Sequence, residues 1–185
     1  MKTYYSINDL INMIDSPNRE ICNKILSDNL EIFNISKGSK TKHQAWEGGY
    51  LDHITETMNL AIIFYNSLNE LRKLPFNLSD SLLILFLHDI EKPWKQSKDF
   101  KSKFEDKNGI KDEKAITLFK EELLKKYNIK LNEMQLNALK YVEGEGNDYD
   151  PFKRVSNELA AFCHICDVWS ARGWHDFPKS KELKW

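Results

Sequence analysis

The chain has 185 residues, which is the length of one domain with a sizeable core. Its formal net charge is −1 at pH 7, so composition gives no general affinity for nucleic acid or acidic lipid. No stretch approaches the roughly 18 consecutive apolar residues of a membrane span, and the first ten residues lack the apolar core of a secretory signal. Three cysteines, mostly in apolar surroundings, predict reduced thiols in a cytoplasmic protein.

The apolar residues recur at helical spacing, and glycine and proline are few, so we predict an all-α fold in a single domain spanning residues 1–185. The first helix is expected over 6–15. A second helix follows Ser16 as its cap and Pro17 at its first position, and ends near residue 28. Residues 31–36 are predicted to be extended. Residues 1–37 would thus be an N-terminal addition to a core at about 43–173.

A polar loop (38–42) and the Gly48–Gly49 pair precede a long helix that is predicted from about Tyr50. On that helix His53 shares one face with apolar residues, so its imidazole would point inward. A lone histidine in such a position is more often a hydrogen-bonded core residue than a metal ligand.

An unbroken apolar run, residues 82–87, ends abruptly in His88 and Asp89. It predicts a buried helix, capped within 77–80, whose C-terminal end carries an imidazole and a carboxylate into the interior. Burying both groups without partners costs several kcal/mol, and a metal ion would compensate. In the alternative interpretation the two residues mark a solvated helix end.

A lysine-rich insert is predicted at 93–111. From Lys92 to Lys111 there are seven lysines against three acidic residues, a local charge of about +4, with aromatic residues between them. This segment could cover the mouth of an active site and attract phosphate, or it could be a solvated insert. Both interpretations stay open.

Further helices are predicted over 112–126, 132–142 and about 152–172, the last capped by Gly173, with an acidic loop at 143–150 and an unplaced tail at 174–185. Asp167 falls on the apolar face of the last helix. A carboxylate there needs a cation or hydrogen-bond donors. Arg172 lies five positions on and points elsewhere, so a metal or a distant partner such as His53 is the better explanation.

The order His53, then His88–Asp89, then Asp167, each from a different predicted helix, resembles the HD-domain superfamily of metal-dependent phosphohydrolases. The stretch HQAWEGGYLDH, residues 43–53, is similar to the H-x(4)-GGL-x-x-H entry of nuclease-type and exoribonuclease-type members. HDIEK, residues 88–92, is close to their HD-x-G-K, with Glu91 where glycine is usual. The resemblance covers about residues 43–173 and implies a helical bundle with a metal site at its centre.

This resemblance also implies roles for individual residues. The metal ligands would be His53, His88, Asp89 and Asp167, and Lys92 would lie near the scissile phosphate. His43 would bind substrate or protonate a leaving group.

Three more residues complete the predicted site. Lys42 and Arg172 could offset charge on the phosphate. Glu91 is a candidate general base, and Asp89 could both bind the metal and orient a water molecule.

We expect one divalent ion. Two imidazoles and two carboxylates suit Mn²⁺, Fe²⁺, Co²⁺, Ni²⁺ or Mg²⁺ better than a closed zinc site. No histidine lies between Ile90 and Phe162, so a second ion would need Glu143 or Glu145 as ligand. His164 is expected to pack in the core or hydrogen-bond near the site. Cys163 and Cys166 lack the second cysteine pair of a zinc clamp.

Three functions follow from this interpretation. The first is hydrolysis of a phosphate monoester, with a nucleotide as the favoured small-molecule substrate. The second is a phosphodiesterase or single-strand nuclease, which keeps nucleic acid open as a partner. The third is a non-catalytic HD module that binds a nucleotide or a protein. The sequence predicts no membrane association and makes no prediction about oligomeric state.

Overall fold

The computed structural model describes residues 3–96, 113–177 and 185, and this part of the chain contains helices and no strand. The all-α prediction is thereby confirmed for these residues. The α-helices are α1 (Ile7–Asn12), α2 (Asn18–Asp28), α3 (Leu30–Ile35), α4 (Gly49–Leu71), α5 (Leu78–Leu87), α6 (Lys92–Lys95), α7 (Glu113–Lys126), α8 (Glu133–Tyr141) and α9 (Glu158–Val168). A 3₁₀ turn (Gly146–Asp148) and a π-helical turn (Trp169–Gly173) complete the set.

Helix α5 lies at the centre of the molecule. It packs against α1, α4, α8 and α9, while α4 also contacts α1, α3 and α9. The residues from Asp80 to Glu91 are buried without a break. A run of six apolar residues can avoid water only when other elements surround the helix, and burial of that area is the main term that stabilises it. Among the described helices, none is both long and apolar enough to cross a membrane.

The start of α5 is held by a reciprocal cap. The Asp80 N–H donates to Asn77 Oδ1 at 2.8 Å, and the Asn77 N–H donates to Asp80 Oδ2 at 3.0 Å. The second carboxylate oxygen, Asp80 Oδ1, accepts from Gln135 Nε2 at 2.7 Å. The predicted cap is therefore confirmed, and it also joins α5 to α8.

Residues 31–36 are not extended as predicted, because most of them form α3. The Phe33 ring is buried 5.0 Å from the Tyr50 ring and 5.9 Å from the Trp94 ring, measured between centroids. These partners belong to α4 and α6. Six residues are too few for apolar spacing to separate helix from strand, and packing against distant aromatic rings decides the conformation.

Two predicted helix starts are also wrong. Helix α2 begins at Asn18, after Pro17, and no Ser16 side chain caps it. Helix α9 begins at Glu158 rather than near 152, because Asn157 Oδ1 accepts from the Ala160 N–H at 2.8 Å and so supplies the cap.

Parts of two predicted segments lie outside the described residues. These are positions 97–111 of the lysine-rich insert and 178–184 of the tail. The described part of the tail packs on the N-terminus, where the Trp185 ring lies 5.0 Å and the Phe177 ring 6.5 Å from the Tyr4 ring.

Candidate metal centre

Four side chains from three helices converge in the interior. His53 comes from α4, His88 and Asp89 from the C-terminal end of α5, and Asp167 from α9. Their facing atoms are close: His53 Nε2 lies 3.1 Å from Asp167 Oδ1 and 3.6 Å from Asp89 Oδ2. His88 Nε2 lies 3.3 Å from Asp89 Oδ2 and 3.6 Å from Asp167 Oδ1. The structure therefore brings together the four predicted metal ligands.

These separations fit a shared cation. Ligand atoms about 2.1 Å from an ion lie about 3.0 Å apart at octahedral right angles and about 3.4 Å apart at tetrahedral angles. The ligand atoms of His53, His88 and Asp167 all lie within 4.8 Å of one another. Asp89 lies outside that tight group of three, but its Oδ2 faces both imidazole nitrogens.

Several buried polar atoms at this point of convergence lack a hydrogen-bond partner. The Nε2 atoms of His53 and His88 and both carboxylate oxygens of Asp89 are buried without a hydrogen-bond partner. The two imidazole nitrogens lie 3.1–3.6 Å from the carboxylate oxygens, and the Lys92 ammonium contacts Asp89 Oδ2. Buried polar atoms left in this way cost free energy. The donor set and its orphaned atoms fit a divalent ion.

Each histidine presents the correct nitrogen. His88 Nδ1 lies 2.7 Å from the Leu85 carbonyl oxygen, which can only accept, so Nδ1 carries a hydrogen and Nε2 is the nitrogen left to bind an ion. His53 Nδ1 lies 3.1 Å from Ser170 Oγ. A hydrogen bond from the outer nitrogen is the usual way in which proteins orient a metal-binding imidazole.

The charges of the centre are strongly coupled. Burial lowers the pKa of His53 to about 4. Burial also opposes ionisation of His88, but the charges of Asp89 and Asp167 outweigh it and raise the pKa of His88 to about 10. Burial alone would raise the pKa values of Asp89 and Asp167. Lys92 and His88 instead hold the pKa of Asp89 well below its usual range, and the two histidines do the same for the pKa of Asp167. A proton on His88 therefore balances part of the negative charge that a cation would otherwise balance.

The backbone at the start of α4 requires glycine at both Gly48 and Gly49. Gly48 adopts a left-handed conformation, φ 82°, at the start of α4. Gly49 has no room for a side chain, because a Cβ atom would overlap the carbonyl oxygen of Gln44. The two glycines let the loop that carries His43 fold back against the helix that carries His53.

His43 and Lys92 both lie beside the four converging side chains. The His43 ring centroid is 4.8 Å from that of His53, and its Nδ1 lies 2.8 Å from Gln44 Oε1. The pKa of His43 is lowered, chiefly by burial. For Lys92 the charge of Asp89 outweighs burial and raises the pKa, so the ammonium stays charged.

Glu91 is buried, and its carboxylate pairs with Lys95 at 2.7 Å and Lys120 at 3.7 Å. Lys120 also donates to the His88 carbonyl oxygen. These contacts indicate that Glu91 helps to hold the C-terminal end of α5 in place. Its role as a general base stays a prediction. Sequence reasoning missed Lys120, which lies on an ordinary amphipathic helix without a motif.

The predicted phosphate-binding residues Lys42 and Arg172 are both exposed. Among the described residues, no contact joins either side chain to the four converging ones. Their roles stay predictions.

Of the two possible ligands for a second ion, only Glu143 is influenced by the charges of the centre. Glu145 Oε1 accepts from the Ser156 hydroxyl at 2.6 Å and so belongs to its own loop. The pKa of Glu143 is raised, first by loss of water around the carboxyl group and then by the charge of Asp89, although the residue as a whole is exposed. His164 hydrogen-bonds the Val142 carbonyl oxygen at 2.7 Å.

The cysteine pair of α9 gives no sign of a zinc site. Cys163 and Cys166 are both buried, and burial raises the pKa of each thiol. Neither belongs to the group of side chains that could hold an ion.

No family model matches the chain, and neither the curated proteins nor the solved structures give a match. Membership of the HD-domain superfamily therefore stays a prediction that rests on the residues quoted above.

Glu56, one turn after His53, should make stability depend on pH. Its pKa is raised from 4.5 to about 8, chiefly by burial. Because the unfolded chain loses this proton first, the stabilising contribution is complete below pH 4.5 and is lost as the pH rises to about 8, at up to about 1.4 kcal/mol per pH unit. We expect wild type to lose more stability than Glu56→Gln between pH 5 and 8 in urea unfolding of the metal-free protein. Parallel curves would show that Glu56 titrates normally.

Proposed function

We propose that this chain is a metal-dependent phosphohydrolase with an HD-type helical bundle around one divalent ion. The observation that carries the proposal is the convergence of two imidazole nitrogens and two carboxylates, in which the facing atoms of His53, His88 and Asp89 are buried without a hydrogen-bond partner. Its substrate would be a phosphate monoester, with nucleotides as the first class to test.

The ion would be held by His53, His88, Asp89 and Asp167. When bound, it would act as a Lewis acid on the phosphoryl group and lower the pKa of a water molecule. Two nitrogen and two oxygen donors suit Mn²⁺, Fe²⁺, Co²⁺, Ni²⁺ or Mg²⁺.

Lys92 would offset charge on the phosphate. Its side chain is 25% exposed, and its ammonium contacts the fully buried Asp89. A fixed cation in a partly desolvated site stabilises charge that develops in the transition state more than it would in water.

His43 would contact substrate or water through Nε2, because Gln44 Oε1 engages its Nδ1. With its pKa lowered by burial, His43 is neutral near pH 7 and carries its hydrogen on Nδ1. This favours a role for His43 as a hydrogen-bond acceptor over a role as the acid that protonates a leaving group.

One observation supports the second candidate, a phosphodiesterase or nuclease. The charges of Asp89, Lys92 and His88 influence the Glu143 carboxyl group, which favours Glu143 over Glu145 as a ligand for a second ion. Two-ion sites are common in enzymes that cleave phosphodiesters.

The test uses chelator-treated protein that is reloaded with Mn²⁺, Fe²⁺, Co²⁺, Ni²⁺ or Mg²⁺ in turn. Substrates are p-nitrophenyl phosphate, nucleoside monophosphates, cyclic dinucleotides and oligonucleotides. We expect one ion per chain by elemental analysis and release of phosphate from monoesters. Two ions with activity on diesters alone would favour the second candidate. Ion binding without turnover would favour a non-catalytic module, and absence of ion binding would contradict the metal centre.

A further inference from the structure

A buried chain of side chains runs outward from His53. His53 Nδ1 lies 3.1 Å from Ser170 Oγ, and the Ser170 hydroxyl donates to Glu56 Oε2. All three residues have no exposed surface. The links span 117 and 114 residues of sequence, and they join α4 to the π-helical turn after α9.

An ionised Glu56 carboxylate can only accept, and this sets the direction of each hydrogen bond in the chain. Glu56 Oε2 accepts from Gln44 Nε2 at 3.0 Å as well as from Ser170. The ionised carboxylate, which predominates above about pH 8, has no hydrogen to donate to Ser170. The single hydroxyl hydrogen of Ser170 thus goes to Glu56, and Ser170 Oγ must accept from His53 Nδ1–H. This leaves the lone pair of His53 on Nε2, which faces the metal centre.

Gln44 joins the same chain to His43. Its Oε1 lies 2.8 Å from His43 Nδ1, and its Nε2 also donates to the Phe177 carbonyl oxygen at 2.9 Å. Gln44 has a positive φ of 36°, and its backbone N–H donates to the His175 carbonyl oxygen at 2.7 Å. A non-glycine residue with a positive φ is strained, and such strain persists where several surrounding contacts hold the backbone in place. One amide therefore orients two histidines of the site.

We propose that Ser170 and Glu56 are positioning residues that hold His53 in its metal-binding tautomer, with Gln44 coupling this chain to His43. The inference rests on the metal centre of the proposed function. It does not depend on which phosphate ester is hydrolysed.

The decisive variants are Ser170→Ala and Glu56→Met, each of which breaks the chain at a different link. Loss of an outer partner of a metal-binding histidine typically weakens binding about 10–100-fold, and we expect that loss of Mn²⁺ affinity in both, measured by calorimetry. The double variant should bind no more weakly than either single variant, since one broken link already frees His53. Glu56→Gln keeps an acceptor oxygen toward Ser170 and should restore affinity to within about threefold of wild type.

The matched control is Ser81→Ala. Ser81 is equally buried, but its hydroxyl bonds only the Asn77 carbonyl oxygen, two turns of α5 away from His88. We expect its Mn²⁺ affinity to equal that of wild type. Additive losses in the double variant, or equal losses in Ser81→Ala and Ser170→Ala, would show a general packing defect and overturn the inference.

A second readout needs no metal. Long-range ¹H–¹⁵N correlation spectra of the metal-free protein at pH 9, where Glu56 is ionised, distinguish the two neutral tautomers of His53. We expect hydrogen on Nδ1 in wild type and a mixture in Ser170→Ala. Hydrogen on Nε2 in wild type would overturn the inference. Wild type that has the expected tautomer but binds no Mn²⁺ would refute the proposed metal centre and leave the orientation of His53 standing.

Discussion

Replacing Asp89 by asparagine is expected to abolish both divalent-ion binding and phosphate-ester hydrolysis. Asp89 is fully buried, and its Oδ2 lies 3.3 Å from His88 Nε2 and 3.6 Å from His53 Nε2. The change keeps the volume of the side chain but removes its charge, which is a main part of the attraction for a cation. Since loss of outer partners alone costs about 10–100-fold, loss of a ligand should exceed about 100-fold in affinity. Calorimetry with Mn²⁺ and phosphate release measure the two effects.

The control for Asp89→Asn is Asp80→Asn. Asp80 is also a buried carboxylate of the α5 region, but it caps the helix and bonds Gln135 at the opposite end from the metal centre. Asp80→Asn should lower stability while it keeps ion binding. If both variants lost the ion equally, binding would depend on the integrity of α5 and not on Asp89 as a ligand.

The largest expected loss of stability comes from Leu82→Ala. Leu82 has no exposed surface and lies in the apolar run of α5, the helix that four other helices surround. Truncation removes buried methyl groups and leaves a cavity, which typically costs 2–5 kcal/mol, so we expect about 3 kcal/mol. Urea unfolding of the metal-free protein measures the loss without a contribution from bound ion.

Leu71→Ala is the matched control, because the same atoms are removed from a side chain that is 83% exposed at the end of α4. Its free energy of unfolding should stay within about 0.5 kcal/mol of wild type. Similar losses in the two variants would contradict the central position of α5.

The buried helix at the centre could be predicted from the sequence because its signal is local. Six apolar residues in succession, with an Asn77 cap before them and His88–Asp89 after them, have few arrangements that avoid exposing apolar surface. The short segment at 31–36 gave no comparable signal. Its helical state depends on Phe33 meeting rings from α4 and α6, and such contacts are absent from a local pattern.

The candidate ligands could be named from their residue types and order, since imidazoles and carboxylates on apolar faces demand partners. The residues that orient them could not. Ser170 lies 117 positions from the imidazole it contacts, and Glu56 lacks any feature that distinguishes it from a surface carboxylate on a helix. Lys120, which contacts the last carbonyl group of the α5 region, was missed for the same reason.

The sequence by itself determined the helical class and the buried run of α5, and it named the four candidate metal ligands. It could do so because hydrophobic periodicity and the cost of burying unpaired polar groups act on single residues and their near neighbours. Only the tertiary structure decided that those four side chains meet, that α3 is helical, and that a hydrogen-bonded chain of Ser170, Glu56 and Gln44 reaches the histidines. Those outcomes depend on atoms brought together from distant parts of the chain, and a hydrogen bond exists only when both of its partners are in place.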